Sequence, residues 1–289
     1  MSKAVVIKNI SNMFTLSDNG EVIEAIAQGK LKADKVLVGD KVIYEKSGKR
    51  AVITKLEPRH NVLVRPSIAN IDNLIIVLAP APIPDLILID KLILTCLYND
   101  IKPILCVNKD DLSSSFAQEI KKAYGEVVID IVNVSAKEHT GIDNLVALLD
   151  GKISAFAGQS AVGKSTLLNC LLKYDCVKTG ELSSKTGRGR HTTRHTEMFE
   201  IMPNTYVIDT PGFSMLNVSG ITYDNLKLYY PDFAEFECKY NSCTHTKEDI
   251  SECAIKQAVC DGKLDNGRYE RYNILYNELK ERKKVYEKN

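Results

Sequence analysis

No stretch of this 289-residue chain stays apolar for long enough to cross a bilayer as one helix. The most apolar region, Leu74 to Leu94, is broken by Pro80, Pro82, Pro84, Asp85 and Asp90. The first residues, Met-Ser-Lys-Ala-Val-Val-Ile-Lys, alternate polar and apolar side chains and lack the apolar core of a secretory leader. Internal repeats and low-complexity tracts are absent, and the net charge is only +1. Eight cysteines without a secretory context do not point to disulfides. A soluble, cytoplasmic protein with no membrane partner is the expectation.

What is present falls into three segments. Residues 1–67 carry 12 Lys/Arg against 7 Asp/Glu, residues 68–225 carry 14 against 18, and residues 226–289 carry 12 of each. A basic first segment beside an acidic middle suits a polyanionic partner docking at one end, although a solvated basic face would look the same. In the first segment Lys3–Ile10, Glu21–Ile26, Lys41–Lys46 and Arg50–Leu56 alternate as half-buried strands. They are separated by the turn sequences Asp18-Asn19-Gly20, Val38-Gly39-Asp40 and Lys46-Ser47-Gly48-Lys49. A small OB-like barrel is predicted, and with only Phe14 and Tyr44 as aromatics it should meet phosphate backbones rather than stack bases.

From residue 68 the pattern changes to apolar runs alternating with helical spacing. Asn73–Ala79, Pro103–Val107, Val127–Val134 and Ile153–Ala157 read as strands, with Leu86–Tyr98, Phe116–Tyr124 and Ile142–Leu149 as helices. Two further strands are expected at Thr196–Ile201 and Thr205–Ile208. Such alternation predicts an α/β domain with a parallel sheet and helices on both faces.

Gly158-Gln159-Ser160-Ala161-Val162-Gly163-Lys164-Ser165 follows one of these strands and precedes the helical Thr166–Leu172. Glycines let the backbone wrap a phosphate with its N–H groups, and the helix adds its positive dipole end. Lys164 would bridge the β- and γ-phosphates and the Ser165 hydroxyl would ligate Mg²⁺. Asn108-Lys109-Asp110-Asp111 follows another strand, so it shares the sheet edge with the phosphate loop. The Asp111 carboxylate matches the two N–H donors of guanine and repels the acceptor that adenine presents there. Lys109 would lie over the base, and Asn108 would tie its loop to the phosphate loop. Ser135-Ala136-Lys137, after the next strand, would offer a backbone N–H to the guanine carbonyl. Asp209-Thr210-Pro211-Gly212 supplies a carboxylate for the Mg²⁺ shell and an N–H at Gly212 for the γ-phosphate.

Between these, residues 185–195 form a basic, glycine-rich stretch suited to a switch loop, with Thr193 favoured over Thr192 as the metal ligand. Phe213 stands where Ras-like enzymes carry a water-orienting Gln, which leaves His191 as the local candidate for that task. The motif order is rotated, because the base reader precedes the phosphate loop by about fifty residues. The chain therefore runs from the second switch straight into residues 213–289, and transmission of the γ-phosphate state to that module is expected. An ATP-dependent enzyme is disfavoured by Asp111.

Cys238-x4-Cys243-x-His245-x7-Cys253 supplies three thiolates and an imidazole, a closed tetrahedral set for structural Zn²⁺, with Cys260 as a rival for Cys253. The module reads as too small and polar to bury much core, so the metal would supply its stability. A charged helix from about Asp265 to Lys288 places Tyr269, Tyr272, Tyr276 and Leu279 on one face, expected to pack on the module's own core.

Across nearly its full length the chain resembles the RsgA (YjeQ/YloQ) family of circularly permuted GTPases. The resemblance rests on Val38-Gly39-Asp40, Arg59 to Pro66, Asn70-Ile71-Asp72, the permuted motifs, Gly189-Arg190-His191-Thr192-Thr193 and the Cys/His cluster. It implies an α/β, circularly permuted P-loop GTPase domain (68–225) between an RNA-binding OB-fold (1–67) and a zinc module with a terminal helix (226–289). It implies GTP hydrolysis to GDP stimulated by the small ribosomal subunit and its rRNA, in late maturation of that subunit, and it supports a catalytic His191. A monomer is expected. The His245–Cys253 spacing is two residues longer than is usual in the family. An rRNA-binding module gated by nucleotide, with incidental turnover, is the alternative that Phe213 favours.

Overall fold

The computed structural model describes residues 2–29, 31, 36–48, 50–64, 66–128, 130–173, 197–209 and 220–286. Five strands come first: β1 (Ser2–Ile10), β2 (Met13–Asp18), β3 (Glu21–Ala27), β4 (Lys41–Ser47) and β5 (Arg50–Leu56). They pair in the order β1-β2-β3-β5-β4, and β4 pairs back onto β1 to close an OB-like barrel. Sequence pattern missed β2, whose Phe14 and Leu16 point inward together with Val6, Tyr44 and Ile53. Both barrel aromatics are core residues, each about 1% exposed, so neither can stack on a base.

A hairpin, β6 (Val62–Val64) with β7 (Ser67–Ala69), leads into β8 (Asn73–Leu78). There follow α1 (Leu86–Tyr98), β9 (Lys102–Val107), α2 (Ser114–Tyr124), β10 (Asp130–Asn133), α3 (Ile142–Leu149), β11 (Ile153–Ala157), α4 (Lys164–Leu172), β12 (Glu197–Met202) and β13 (Thr205–Asp209). The sheet order is β10-β9-β8-β11-β13-β12, parallel except for β12. Side chains of β8 alternate between two cores. Leu74, Ile76 and Leu78 meet α1 and α2 on one face, while Ile75 and Val77 meet α3 and α4 on the other.

The predicted strand at Val127–Val134 is shorter than expected. Val127 and Val128 instead close the end of α2, both N–H groups donating to the Tyr124 carbonyl, and their side chains are buried there. Apolar character was right and its use was not.

Two seams join barrel and sheet. Lys8 of β1 is the register partner of Glu197 of β12, and their side chains pair at 2.9 Å. Ser17 of β2 adds a hydrogen bond to Glu200 of β12. The second seam uses the turn residues noted in the sequence. Arg59 makes a bidentate pair with the buried Asp40, at 2.6 and 2.7 Å. Asn70 donates to Gly39 C=O and accepts from His60 N–H. A Cβ on Gly39 would meet the Ala69 carbonyl oxygen at 2.0 Å, so only glycine allows this approach.

After residue 220 come two 3-10 turns, Leu226–Tyr229 and Pro231–Phe233, then α5 (Ala254–Cys260) and α6 (Asn266–Tyr286). The expectation of a module with little core is overturned. Leu226, Tyr230, Phe233, Ile255, Tyr272, Leu275, Tyr276 and Leu279 form a buried cluster that Leu94 of α1 completes. Borrowing a helix face from the neighbouring domain gives a small module the apolar surface it cannot supply alone. As expected, Tyr272, Tyr276 and Leu279 face that core. Among the described residues no helix is long and apolar enough to cross a membrane.

Candidate nucleotide site and metal centre

Parallel pairing sets the C-terminal ends of β8, β9, β10, β11 and β13 along one edge, where α/β sheets bind ligands. The segments 158–165, 108–111 and 135–137 all leave that edge. Gly158, at φ +129, lies so close to β8 that a Cβ would sit 2.2 Å from the Val77 carbonyl oxygen. Gly163, at φ +97, is the N-cap of α4, so Lys164 and Ser165 open that helix and its free N–H groups face the loop. Ser160, Ala161, Ser165 and Thr166 are exposed, whereas Val162 is buried and anchors the loop to the α3/α4 core. Lys164 Nζ donates to the carbonyls of Gly158 and Gln159 at 2.7 and 2.6 Å. Its ammonium therefore sits on the loop that it serves.

Asn108 is the hub. It is 2% exposed, its Nδ2 donates to Val162 C=O at 2.9 Å, and its Oδ1 accepts from Ala136 N–H at 3.0 Å. One amide thus fixes the phosphate loop, the Asn108–Asp111 turn and the Ser135–Lys137 turn with respect to one another. Lys109, in a left-handed conformation at φ +61, donates to Ala81 and Ala161 carbonyls at 2.7 and 2.9 Å. Ser135 Oγ donates to Asp111 Oδ1 at 2.6 Å, which orients an exposed carboxylate toward solvent at the sheet edge. Lys137 is exposed and pairs with Glu138, which raises its pKa together with the charge of Asp111. Cys170 of α4 donates through sulfur to Ala136 C=O. That support has no sequence signature, and neither does the use of the Ala81 carbonyl.

Asp209 ends β13 beside β11, which places its backbone next to the strand that feeds the phosphate loop. The Asp209 side chain, Gly212, Phe213, His191, Thr192 and Thr193 lie outside the described residues.

The cysteines and histidine converge. Cys238, Cys243, His245 and Cys253 present ligand atoms all within 4.8 Å of one another, and Cys260 lies apart as an exposed thiol. His245 Nδ1 is 3.5, 3.4 and 3.6 Å from the sulfurs of Cys238, Cys243 and Cys253, and the Cys238 and Cys253 sulfurs are 4.0 Å apart. A tetrahedral zinc centre of three sulfurs and one nitrogen has ligand-to-ligand edges of roughly 3.5–3.8 Å, given bonds of about 2.3 Å to sulfur and about 2.0 Å to nitrogen. The donor set fits.

Burial, with Lys227 adding to it, pushes the His245 pKa down to about 4, so the ring is neutral and its lone pair free at neutral pH. Burial pushes the Cys243 thiol up to about 12 and raises Cys253, so thiolates here require a cation. The loop is held from outside as well. Tyr269 and Tyr272 hydroxyls donate to the carbonyls of His245 and Thr244, and Lys227 donates to that of Cys243. Burial pushes Glu248 up, but the N–H groups of Thr244, of Glu248 itself and of Lys247, with the Thr244 hydroxyl, hold its pKa down at about 2. These supports were not legible in the sequence.

A model described as RsgA GTPase matches residues 56–219, more than half of the chain. The chain belongs to the RsgA GTPase family. As a family member it is a GTP hydrolase whose motifs run in circularly permuted order. A second model, described as 50S ribosome-binding GTPase, matches residues 153–286. The small ribosomal subunit biogenesis GTPase RsgA of Ruminiclostridium cellulolyticum is 38% identical over 97% of this chain and 95% of its own. Its counterpart from Clostridium botulinum is 38% identical over 98% and 99%. Among solved structures, YjeQ from Thermotoga maritima superposes with TM-score 0.82 at 33% identity, over 96% of this chain and 98% of that one. YloQ, described as a circularly permuted GTPase, superposes with TM-score 0.79 at 31% identity, over 98% and 96%.

Proposed function

We propose that this GTPase acts in biogenesis of the small ribosomal subunit, hydrolysing GTP to GDP and phosphate when it docks on that particle. The observation that carries the reading is near-full-length similarity to relatives that bear that name. The model named for the 50S subunit covers the phosphate loop but omits Asn108–Asp111 and Ser135–Lys137, so it bears on the hydrolase chemistry rather than on the particle. The basic barrel, with its aromatics buried, supports rRNA contact through the phosphate backbone. A cytoplasmic monomer divided at 1–67, 68–225 and 226–289 completes the proposal.

In this reading the backbone N–H groups of Gly158–Thr166, with Lys164, hold the α/β/γ-phosphates. Lys164 stabilises the charge that develops during transfer. Asp111, held by Ser135, selects guanine, while Lys109 covers the base and Ala136 with Lys137 borders it. Ser165, Thr193 and Asp209 would hold Mg²⁺, which supplies charge neutralisation on the phosphates. Gly212 N–H senses the γ-phosphate, and His191 orients the attacking water. Cys238, Cys243, His245 and Cys253 would hold one structural Zn²⁺.

The experiment is a GTPase assay with and without purified small ribosomal subunits, repeated with His191→Ala. Strong stimulation that the variant loses is the expected result. An unstimulated rate would instead favour a nucleotide-gated rRNA-binding module, the reading that Phe213 suggests.

A further inference from the structure

The phosphate loop touches one end of α1, and the flank of α1 carries the C-terminal module. Gln159 Oε1 accepts from the Asp85 N–H at 3.1 Å. Asp85 is also the N-cap of α1, its Oδ1 accepting from Leu88 N–H at 3.0 Å. Just upstream, Lys109 ties the Ala81 carbonyl to that of Ala161. The start of α1 is therefore bonded to the phosphate loop, and the segment just before it to the base-reading loop.

Further along the helix, Asp90 is fully buried and holds two arginines of α6, Arg268 at 2.8 Å and Arg271 at 2.7 Å. Arg268 also pairs with the buried Asp232 at 2.8 Å, and its guanidinium lies 4.3 Å over the Tyr230 ring. Lys91 pairs with Glu278 at 2.7 Å, and Ile87 and Leu94 enter the core of the C-terminal module. These four positions share one helical face. Ile89, Leu92, Ile93 and Cys96, on the other side, belong to the core of the sheet. A single helix of thirteen residues is thus common to two cores.

We propose that the C-terminal module sets the position of the phosphate loop through α1, with Asp90, Arg268 and Arg271 as positioning residues for nucleotide retention. The inference rests on the nucleotide-site reading above. A carboxylate buried between two guanidiniums needs both for compensation, so α1 cannot slide against α6 without stranding a charge. A helix moves as a rod, and displacement at Asp90 is felt at Asp85 and Gln159. Coupling of this kind is reciprocal: whatever moves α6 alters nucleotide affinity, and nucleotide alters α6. The route is separate from the covalent one that leaves the second switch.

The test measures release of a fluorescent GDP analogue from the full chain. Arg271→Ala should release it at least about fivefold faster. Arg271→Lys, which keeps the charge, should restore part of the wild-type rate, and Asn277→Ala, at an exposed position of α6, should not change it. A folded Arg271→Ala chain with wild-type release overturns the proposal. Should that variant not fold, hydrogen exchange of residues 268–279 in the wild-type chain decides. Protection that rises with GDP supports the link, and protection indifferent to GDP sinks it. A wild-type chain that binds no GDP would overturn the nucleotide site itself, and this inference with it, which distinguishes the two failures.

Discussion

Asp111 and Asn108 show how far one residue can be read. The base-selecting carboxylate follows from motif and donor–acceptor complementarity, but the 2.6 Å bond from Ser135 that aims it needed the fold. Asp111→Asn should weaken GDP binding on the order of 100-fold, since charge-assisted hydrogen bonds contribute about 1.5–3 kcal/mol each. Xanthine nucleotides should recover part of the loss, because an amide can donate to the extra carbonyl. Titration with fluorescent guanine and xanthine nucleotides checks both halves. Gly158→Ala is expected to abolish nucleotide binding and to destabilise by roughly 2 kcal/mol or more, from positive φ and a clash with backbone. A melting curve indistinguishable from wild type would contradict it.

At the scale of elements, the Cys/His loop and α6 were expected to depend together on the metal. The structure separates them in part: Tyr269 and Tyr272 of α6 bond the loop, but α6 has anchors of its own. The loop carries the four donor groups, whereas α6 also packs on Leu94, Tyr230 and Phe233 and is held by the Asp90 ion pairs. Chelation should therefore release amide protection in residues 239–253 while α6 stays helical. Hydrogen exchange before and after chelator shows which elements open, and cooperative loss of α6 would refute the separation. The sequence signalled the ligands through their spacing. It did not signal the core, because part of that core's wall belongs to α1, far away in the chain.

For the whole molecule, the question is whether barrel, GTPase sheet and C-terminal module move as one. Arg59 and the buried Asp40 brace the barrel turn that Asn70 ties to the start of the sheet domain. Removing either partner should cost more than removing both, with a coupling energy of about 1–3 kcal/mol in a double-mutant cycle of Asp40→Ala and Arg59→Ala. Additive losses in thermal or urea unfolding would show that the brace is ornamental. The expected transmission of the γ-phosphate state along the chain after Gly212 has its own measurement. Exchange in residues 213–289 should differ between GDP and a non-hydrolysable GTP analogue, and identical profiles would end that idea.

The division between what was legible and what was not has a physical basis. Chemistry that depends on residue type at fixed spacing was determined by the sequence alone. This covers the phosphate loop, the guanine reader, the Cys/His donor set, the permuted order and the alternation that makes a parallel sheet. Contacts between residues far apart in the chain were decided only by the tertiary structure. Asp90 looked like a charge that merely barred a membrane span, yet it lies 178 and 181 residues from the two arginines it holds. Val38-Gly39-Asp40 looked like an ordinary turn and proved to be half of a domain clamp. A side chain's type and neighbours state what bonds it can make. Only folding states which distant partner is brought within about 3 Å to make them.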